Sequence, residues 1–451
     1  MSEEKKKTKE IDYVNDGIAG IYKRLLPSAI GSLLTATVAS LIDVVILSYY
    51  LGSDMLAVVE ICMPVYMLVN TIGMLIASGA STIYAQCLGE GNKEEGLRFF
   101  SASVGQVLIF GAVLSAIGLI FTKPVIRMLG ANDAIFDATL DYAHVLFFFM
   151  IPLMVYVHLL FFVRVDNDPN RVLAATISCA VTNLVLDIFF VGPLNLGPKG
   201  AAMATCIAYT VGMSVNLTHF TSAKNGLKLL KNSMPGRFLR IWRAGLPLAA
   251  AQLGMTISTQ VFNNTIMRVG NEDYVAVYAV ITQLIMTSMA VYDGVGQASQ
   301  PIIAAATGAK DSRRVGQVFR TGVFLELAGT AFIALLYIFL AGQIAGLFSI
   351  KEGELLSLSI KGIRIYAISI PFMGLNSIIM YYFQAQEKTT RALIISLLSG
   401  SIFLILALFG LTFAFGKDGI WLSWVVAQAL SLAVSLCLFK YSQKRRVWHE
   451  Y

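Results

Sequence analysis

YKRLLPSAIGSLLTATVASLIDVVILSYY, residues 22–50, is the stretch that decides the fold of this chain. From Leu25 to Tyr50 it carries one charged residue, Asp43. About 20 such residues in a helix cover the hydrocarbon core of a bilayer. Apolar stretches of this kind recur to the end of the chain, and twelve spans are predicted at 22–50, 55–84, 97–121, 137–163, 172–192, 198–220, 238–268, 274–303, 317–341, 360–384, 392–414 and 419–440. Composition agrees. Of 451 residues, 57% are hydrophobic and 14% charged, against about a quarter charged in ordinary soluble domains, and the mean hydropathy is +0.71. A water-soluble fold is excluded. An all-α polytopic membrane protein is expected, because a helix satisfies its own backbone groups in lipid.

Met1 to Glu10 is polar and Lys-rich with no apolar h-region behind it, so no cleaved signal peptide is expected. The five cysteines, Cys62, Cys87, Cys179, Cys206 and Cys437, lie in apolar spans without CxxC spacing and read as small buried hydrophobes. His144, His158, His219 and His449 lack metal-ligand spacing and read as packing or interfacial residues. If the N-terminus lies in the cytoplasm, only eight of the 34 Lys and Arg fall on outer segments: Lys123, Arg127, Lys199, Arg268, Lys351, Lys361, Arg364 and Lys417. The positive-inside rule then places both termini in the cytoplasm of a multi-pass cell-membrane protein. This asymmetry accounts for the net charge of +7 through an anionic leaflet, without nucleic acid as a partner, and Lys444, Arg445 and Arg446 read as a stop signal.

The two halves repeat each other. Pro27 is matched by Pro247 at an offset of 220, and Arg171 by Arg391 at the same offset. Gly79 and the loop Gly89 to Lys93 are answered by Gly296 and Gly308 to Lys310, and Gly200 by Gly419. A duplicated six-span unit has an even number of crossings, so its copies enter from the same side as parallel repeats about an axis along the membrane normal. The expected organisation is a cytoplasmic segment 1–21, an N-lobe 22–220, a cytoplasmic linker 221–237, a C-lobe 238–440 and a tail 441–451.

A charge at the bilayer centre costs about 2.5 to 3.5 kcal/mol on insertion scales, so intramembrane charges are functional candidates. Five stand inside the spans, and all are acidic: Asp43, Glu60, Asp187, Asp293 and Glu326. Such an interior favours cations. At about 1.5 Å per residue, Asp43 is roughly 28 Å from Arg24 and Asp187 roughly 24 Å from Arg171, both in the outer half. Asn183 is one turn before Asp187 on the same face, and Thr205 enters its span from the outer side to a similar depth. These four residues are expected to converge on one pocket that takes a proton or surrounds sodium; a structural hydrogen-bond network is the plain alternative. The second half lacks this set: Asn263 stands opposite Asp43, and Ile402 and Leu406 opposite Asn183 and Asp187. Asp293 and Glu326 are expected toward the cytoplasmic half of the second lobe, as a second protonation site, a substrate site, or groups reaching inner-leaflet water. Glu60 reads as interfacial. Pro27, with the small-residue face Ser32, Ala36, Ala39 and Ser40, reads as a hinge or a static kink.

With these motifs in place, the sequence resembles the multidrug and toxic compound extrusion family from Pro27 to about Lys440. The resemblance rests on the duplicated twelve-span plan, Ile42-Asp43, Gly79 through Gln86-Cys87-Leu88-Gly89-Glu90-Gly91, Asn183-Leu184-Val185-Leu186-Asp187, Gly200 to Thr205, and Gly296-Gln297-Ala298-Ser299-Gln300-Pro301. It implies two six-helix lobes around an outward-facing V-shaped cleft and export of organic, mainly cationic drugs by antiport against H⁺ or Na⁺. It also implies that Asp43, Asn183, Asp187 and Thr205 form the first-lobe cation site. Some members use carboxylates in spans seven and ten; here those spans offer Gln252, Gln260 and Asn376, and span four departs at Tyr156 to Phe162, where relatives often have Asn. Asp293, Glu326, Asn376 and Gln252 are candidate substrate-cavity residues. No cofactor besides the coupling ion is expected. No GxxxxGK[ST] loop occurs, so ATP is not a partner; the protein is expected to be a monomer and not an enzyme. The runner-up is a lipid-linked oligosaccharide flippase of the same superfamily, which commonly holds pyrophosphate with central Arg or Lys. A channel or receptor would not need the duplication.

Overall fold

The structure is a computed structural model that describes residues 11–231, 233–269, 272–348, 350 and 352–447. Met1 to Glu10, Lys351 and His449 lie outside the described residues, as do the side chains of Lys444, Arg445 and Arg446. Among the described residues the chain is all-α, with no strand. The long helices are α1 (Ile18–Gly52) and α2 (Ala57–Gly89), α3 (Lys93–Ile120), α4 (Phe136–Phe148), α5 (Met150–Val165), α6 (Pro169–Val191) and α7 (Gly197–Leu217), then α8 (Phe238–Val269), α9 (Glu272–Gly308), α10 (Ser312–Phe339), α11 (Gly353–Ala385), α12 (Thr389–Leu397), α13 (Phe403–Phe415) and α14 (Asp418–Val447).

Among the described residues, ten helices are long and apolar enough to cross a membrane, or eleven when α4 and α5, bent by 51° at their junction, count as one. The twelfth long element is α8, 32 residues that include Arg240, Arg243 and Arg268. Each predicted span therefore has a helix or a helix pair. One pair is α12 and α13, joined by a π turn at Leu398–Ile402. The break between α1 and α2 sits at Gly52, whose φ of 71° is open to a residue without Cβ. Within Ile18–Gly89 this is the non-helical point, so Pro27 lies in unbroken helical backbone. Its missing N–H frees a carbonyl one turn back, but the chain here does not bend away from helical geometry.

The chain divides into two compact units, through Gly245 and from Leu246. The division falls inside α8 rather than at the expected 237/238 boundary. The reason is a close backbone approach: a Cβ at Gly79 would stand 2.1 Å from the Ile241 carbonyl oxygen, and one at Gly245 would stand 1.8 Å from that of Leu75. The first turns of α8 therefore belong with α2. The segment before them is also bound to the first unit. Leu230 N–H donates to Ser101 Oγ at 2.8 Å, Arg237 donates to both Glu95 carboxylate oxygens at 2.9 and 3.0 Å, and Trp242 Nε1 donates to Gln106 Oε1 at 3.0 Å.

In the first unit α6 packs along α1, where Ser28 Oγ donates to the Pro169 carbonyl and a Cβ at Gly31 would meet Leu173 at 3.1 Å. The second unit has an aromatic core. Phe262 stacks on Tyr278 with centroids 5.7 Å apart, Tyr274 stacks on Trp421 at 5.7 Å, and Trp424 tilts against Phe262 at 5.4 Å. Cys437 is exposed on α14, so it is not the buried hydrophobe its sequence context predicts.

Candidate functional site

Four residues from three helices of the first unit come together as the spacing predicts. Asp43 stands nine residues before the end of α1 and Asp187 four before the end of α6, so both lie toward the same ends of long helices. Their carboxyl groups are within hydrogen-bonding reach of each other. Asn183, one turn before Asp187, donates from Nδ2 to Asp187 Oδ2 at 2.7 Å and to Thr205 Oγ1 of α7 at 3.4 Å. Asp187 is fully buried, and Oδ1 of Asp43 and Oδ1 of Asp187 are both buried with no hydrogen-bond donor among the described residues. No Lys or Arg is ion-paired to either among the described residues. A carboxyl removed from water needs a donor, a proton or a cation, and two carboxyls can bond each other only if a proton lies between them. The pair is chemically suited to holding one positive charge.

Three tyrosines border this pocket and were not singled out by the sequence. Tyr142 of α4 is buried and close enough to Asp43 and Asp187 to feel their charge. Tyr66 of α2 is near Asp43 and shares a 2.5 Å hydrogen bond with the hydroxyl of Tyr209 on α7. Nothing in the sequence separates these from the other tyrosines, because their role depends on which helices meet.

The second-unit counterparts do not assemble. Asn263 is exposed, and Ile402 and Leu406 are exposed on the outside of their helix pair. A cavity of about 80 Å³ does lie in this unit, lined by Gln252, Asp293, Asn376, Ser377 and the π-turn residues Ser399 and Gly400. Three of the four expected substrate-cavity residues therefore line one cavity. Glu326 is elsewhere: it is fully buried beside Gly374 and Thr330 of α11 and α10. Asp293 lies in the half of α9 that ends at Gly308, where depth counting puts it, and Glu326 lies at the middle of α10. Glu60 is exposed near the start of α2, in keeping with an end-of-helix position.

A second cluster was missed entirely. His219, read as packing or interfacial, is fully buried between two carboxylates, with Nε2 2.8 Å from Asp166 Oδ2 and Nδ1 3.4 Å from Asp168 Oδ2. Asp166 also accepts from the Gly226 N–H at 2.7 Å and from Tyr84 Oη at 3.2 Å. Asp168 accepts from Arg171 at 2.7 Å and Lys224 at 2.9 Å. Although burial opposes its ionisation, Arg171, Lys224 and His219 outweigh that and hold the Asp168 carboxyl below the usual carboxylate range. The turn continues to the start of the chain: Ile11 N–H donates to Asn167 Oδ1 at 2.8 Å and Tyr13 Oη to the Val165 carbonyl at 3.1 Å. Burial, followed by the Asp166 charge, raises the Tyr13 phenol well above its ordinary value. This cluster ties four separate stretches together, which no local pattern announces.

Comparison with known proteins follows the same outline. The family model MatE matches residues 27–189 and again 247–409, two copies displaced by the repeat offset seen in the sequence. The chain is 25% identical over 441 residues to the probable multidrug resistance protein YoeA of Bacillus subtilis, covering 94% of this chain and 93% of that one. It is 21% identical over 419 residues to the multidrug export protein MepA of Staphylococcus aureus, covering 92% of each. Its fold matches the outward-facing conformation of a multidrug resistance MATE family transporter of the MOP superfamily with a TM-score of 0.90, at 21% identity over 97% of this chain and 98% of that chain. With both of its repeats matched in register, the chain belongs to the multidrug and toxic compound extrusion (MatE) family of membrane proteins.

Proposed function

We propose that the protein is a secondary active multidrug efflux transporter that exports organic, mainly cationic compounds by antiport against protons. The observation that carries this reading is the Asp43–Asp187 carboxyl pair, buried in the first unit with no basic partner among the described residues. Sodium is the other ion that four oxygen-bearing side chains suggest. The two carboxyl groups stand within hydrogen-bonding reach of each other, a contact that needs a shared proton, which supports the proton. Both termini lie on the cytoplasmic side by the distribution of Lys and Arg, and Pro27 supplies the freed carbonyl at which α1 can hinge when the charge on Asp43 changes. The flippase reading is not favoured, since the charges buried at mid-span are acidic and the family model covers both repeats.

The test is ethidium efflux from vesicles under an imposed pH gradient and, separately, an imposed sodium gradient, each repeated with Asp43→Asn. Proton antiport requires efflux under the first gradient and its loss in the variant. Efflux that follows sodium alone, or that survives Asp43→Asn, contradicts it.

A further inference from the structure

Arg171 closes one end of a groove that the first-unit pocket does not use. Ile207, Thr210, Val211, Ser214, Val215 and Thr218 recur at three- and four-residue steps, so they form one stripe along α7 and the residue after it. The stripe lies on the side of α7 away from Thr205 and Gly212, which meet α6 and α5. With Phe149, at the bend between α4 and α5, it lines a groove of about 360 Å³. Ser214 and Thr218 are exposed and the rest of the stripe is half-buried.

The groove asks for no polar ligand along its length. Thr210 Oγ1 donates to the Cys206 carbonyl at 2.9 Å, Ser214 Oγ to that of Thr210 at 2.7 Å and Thr218 Oγ1 to that of Val215 at 2.7 Å, so each hydroxyl proton is satisfied by its own helix. From Ile207 to Thr218 the helical rise is about 16 Å. That is close to half of the roughly 30 Å hydrocarbon core, or one leaflet.

One end is charged. Arg171, at the start of α6, donates from Nη1 to Thr218 Oγ1 and from Nε to Asp168 Oδ2 at 2.7 Å, and its Nη2 has no acceptor among the described residues. Lys224 Nζ donates to the other Asp168 oxygen at 2.9 Å. The Asp168 side chain is 4% exposed, against 25% for Arg171 and 29% for Lys224, so this end presents cations. In the second unit the matching Arg391 instead stands over the Phe383 ring at 5.7 Å and the Tyr441 ring at 5.9 Å.

We propose that the α7 groove binds one anionic phospholipid, with an acyl chain along the stripe and the phosphate on Arg171 and Lys224. An acyl chain suits a lining that is one leaflet deep and has no free donor. A guanidinium already held at two points offers its remaining N–H groups as a fork for phosphate oxygens, and cations at a helix end draw acidic headgroups. A drug-sized ligand would need convergent polar groups along the walls. The distribution of Lys and Arg makes this the cytoplasmic leaflet. The site is independent of the Asp43–Asp187 reading and of which ion drives export.

The experiment is native mass spectrometry of the delipidated full-length protein in detergent, titrated with phosphatidylglycerol and, separately, with phosphatidylcholine. Wild type should hold phosphatidylglycerol at least about fivefold more tightly, the effect of roughly one cation at an acidic headgroup. Arg171→Gln should remove that preference, and Arg391→Gln should leave it intact. Ser214→Trp, which fills the middle of the groove and leaves both cations in place, should abolish the retained phosphatidylglycerol. Equal retention of the two lipids by wild type overturns the proposal, and so does full retention in Ser214→Trp. An equal loss in Arg171→Gln and Arg391→Gln also overturns it, because any basic residue at a helix end would then serve. Should Arg171→Gln fail to fold, Ser214→Trp decides alone.

Discussion

Replacing Asp187 with Asn is the most direct test of the first-unit pocket. The amide has the shape of the carboxyl, and Asn183 Nδ2, 2.7 Å from Asp187 Oδ2, still has an oxygen to donate to. Asp187 Oδ1 has no donor to lose, so folding should survive. What disappears is the ability of the pair to bind and release one positive charge. If the two carboxyls carry one proton per cycle against one monovalent drug cation, the exchange is electroneutral and membrane potential adds nothing. One pH unit supplies about 1.36 kcal/mol, which sustains about a tenfold drug ratio, and two units about a hundredfold. In proteoliposomes loaded with ethidium, the wild type should reach a ratio that grows tenfold per imposed pH unit, while Asp187→Asn should relax to equal concentrations on both sides. The variant should still bind drug. If Asp187→Asn builds the same ratio as wild type, the carboxyl pair is not the coupling site.

Three further outcomes are expected. Asp166→Ala strands the Tyr84 hydroxyl, the His219 ring and the Gly226 N–H; at about 1–3 kcal/mol per stranded donor the loss is at least about 3 kcal/mol, or roughly 6–12 °C in the unfolding midpoint, read by tryptophan fluorescence in detergent. Asp168→Asn should lower that midpoint at pH 7. Because the folded Asp168 carboxyl is held below its ordinary range, its contribution is present above about pH 4 and is lost as pH falls through the folded value, so wild type and variant should converge in acid. Gly79→Ala places a methyl 2.1 Å from the Ile241 carbonyl oxygen, forcing α2 and α8 apart; overpacking of this kind costs about 1–3 kcal/mol and should lower the yield of folded protein measured by size-exclusion chromatography.

The long helices, their pairing into repeats and the convergence of Asp43, Asn183, Asp187 and Thr205 were legible because each follows from helical rise and periodicity along single segments. Asn183 and Asp187 face one way because they are four residues apart, and Asp43 meets them because two helices of known length run side by side. The cluster of Asp166, Asp168 and His219 was not legible. Its members lie at a turn between α5 and α6, after the end of α7, and against residues 224–226, and only tertiary contact joins them. The burial of Glu326 was equally hidden: depth along a helix can be counted, but which side a residue turns to its neighbours depends on partners such as Gly374. The break at Gly52 was legible, since it falls in the gap between the predicted spans 22–50 and 55–84.

The way residues 224–242 are fastened bears on how this protein can be handled. Surface connections between helical lobes are the usual places to add a reporter or an epitope, because extra chain there disturbs little. Here Gly226 offers its N–H to Asp166, and a Cβ at that position would already stand 2.7 Å from Asp166 Oδ1 and 3.1 Å from Lys93 Nζ. Leu230, Arg237 and Trp242 each hold a separate anchor on α3. A fluorescent protein spliced into this stretch would pull on four anchor points at once, and any change in transport it then reported would include the damage of its own insertion.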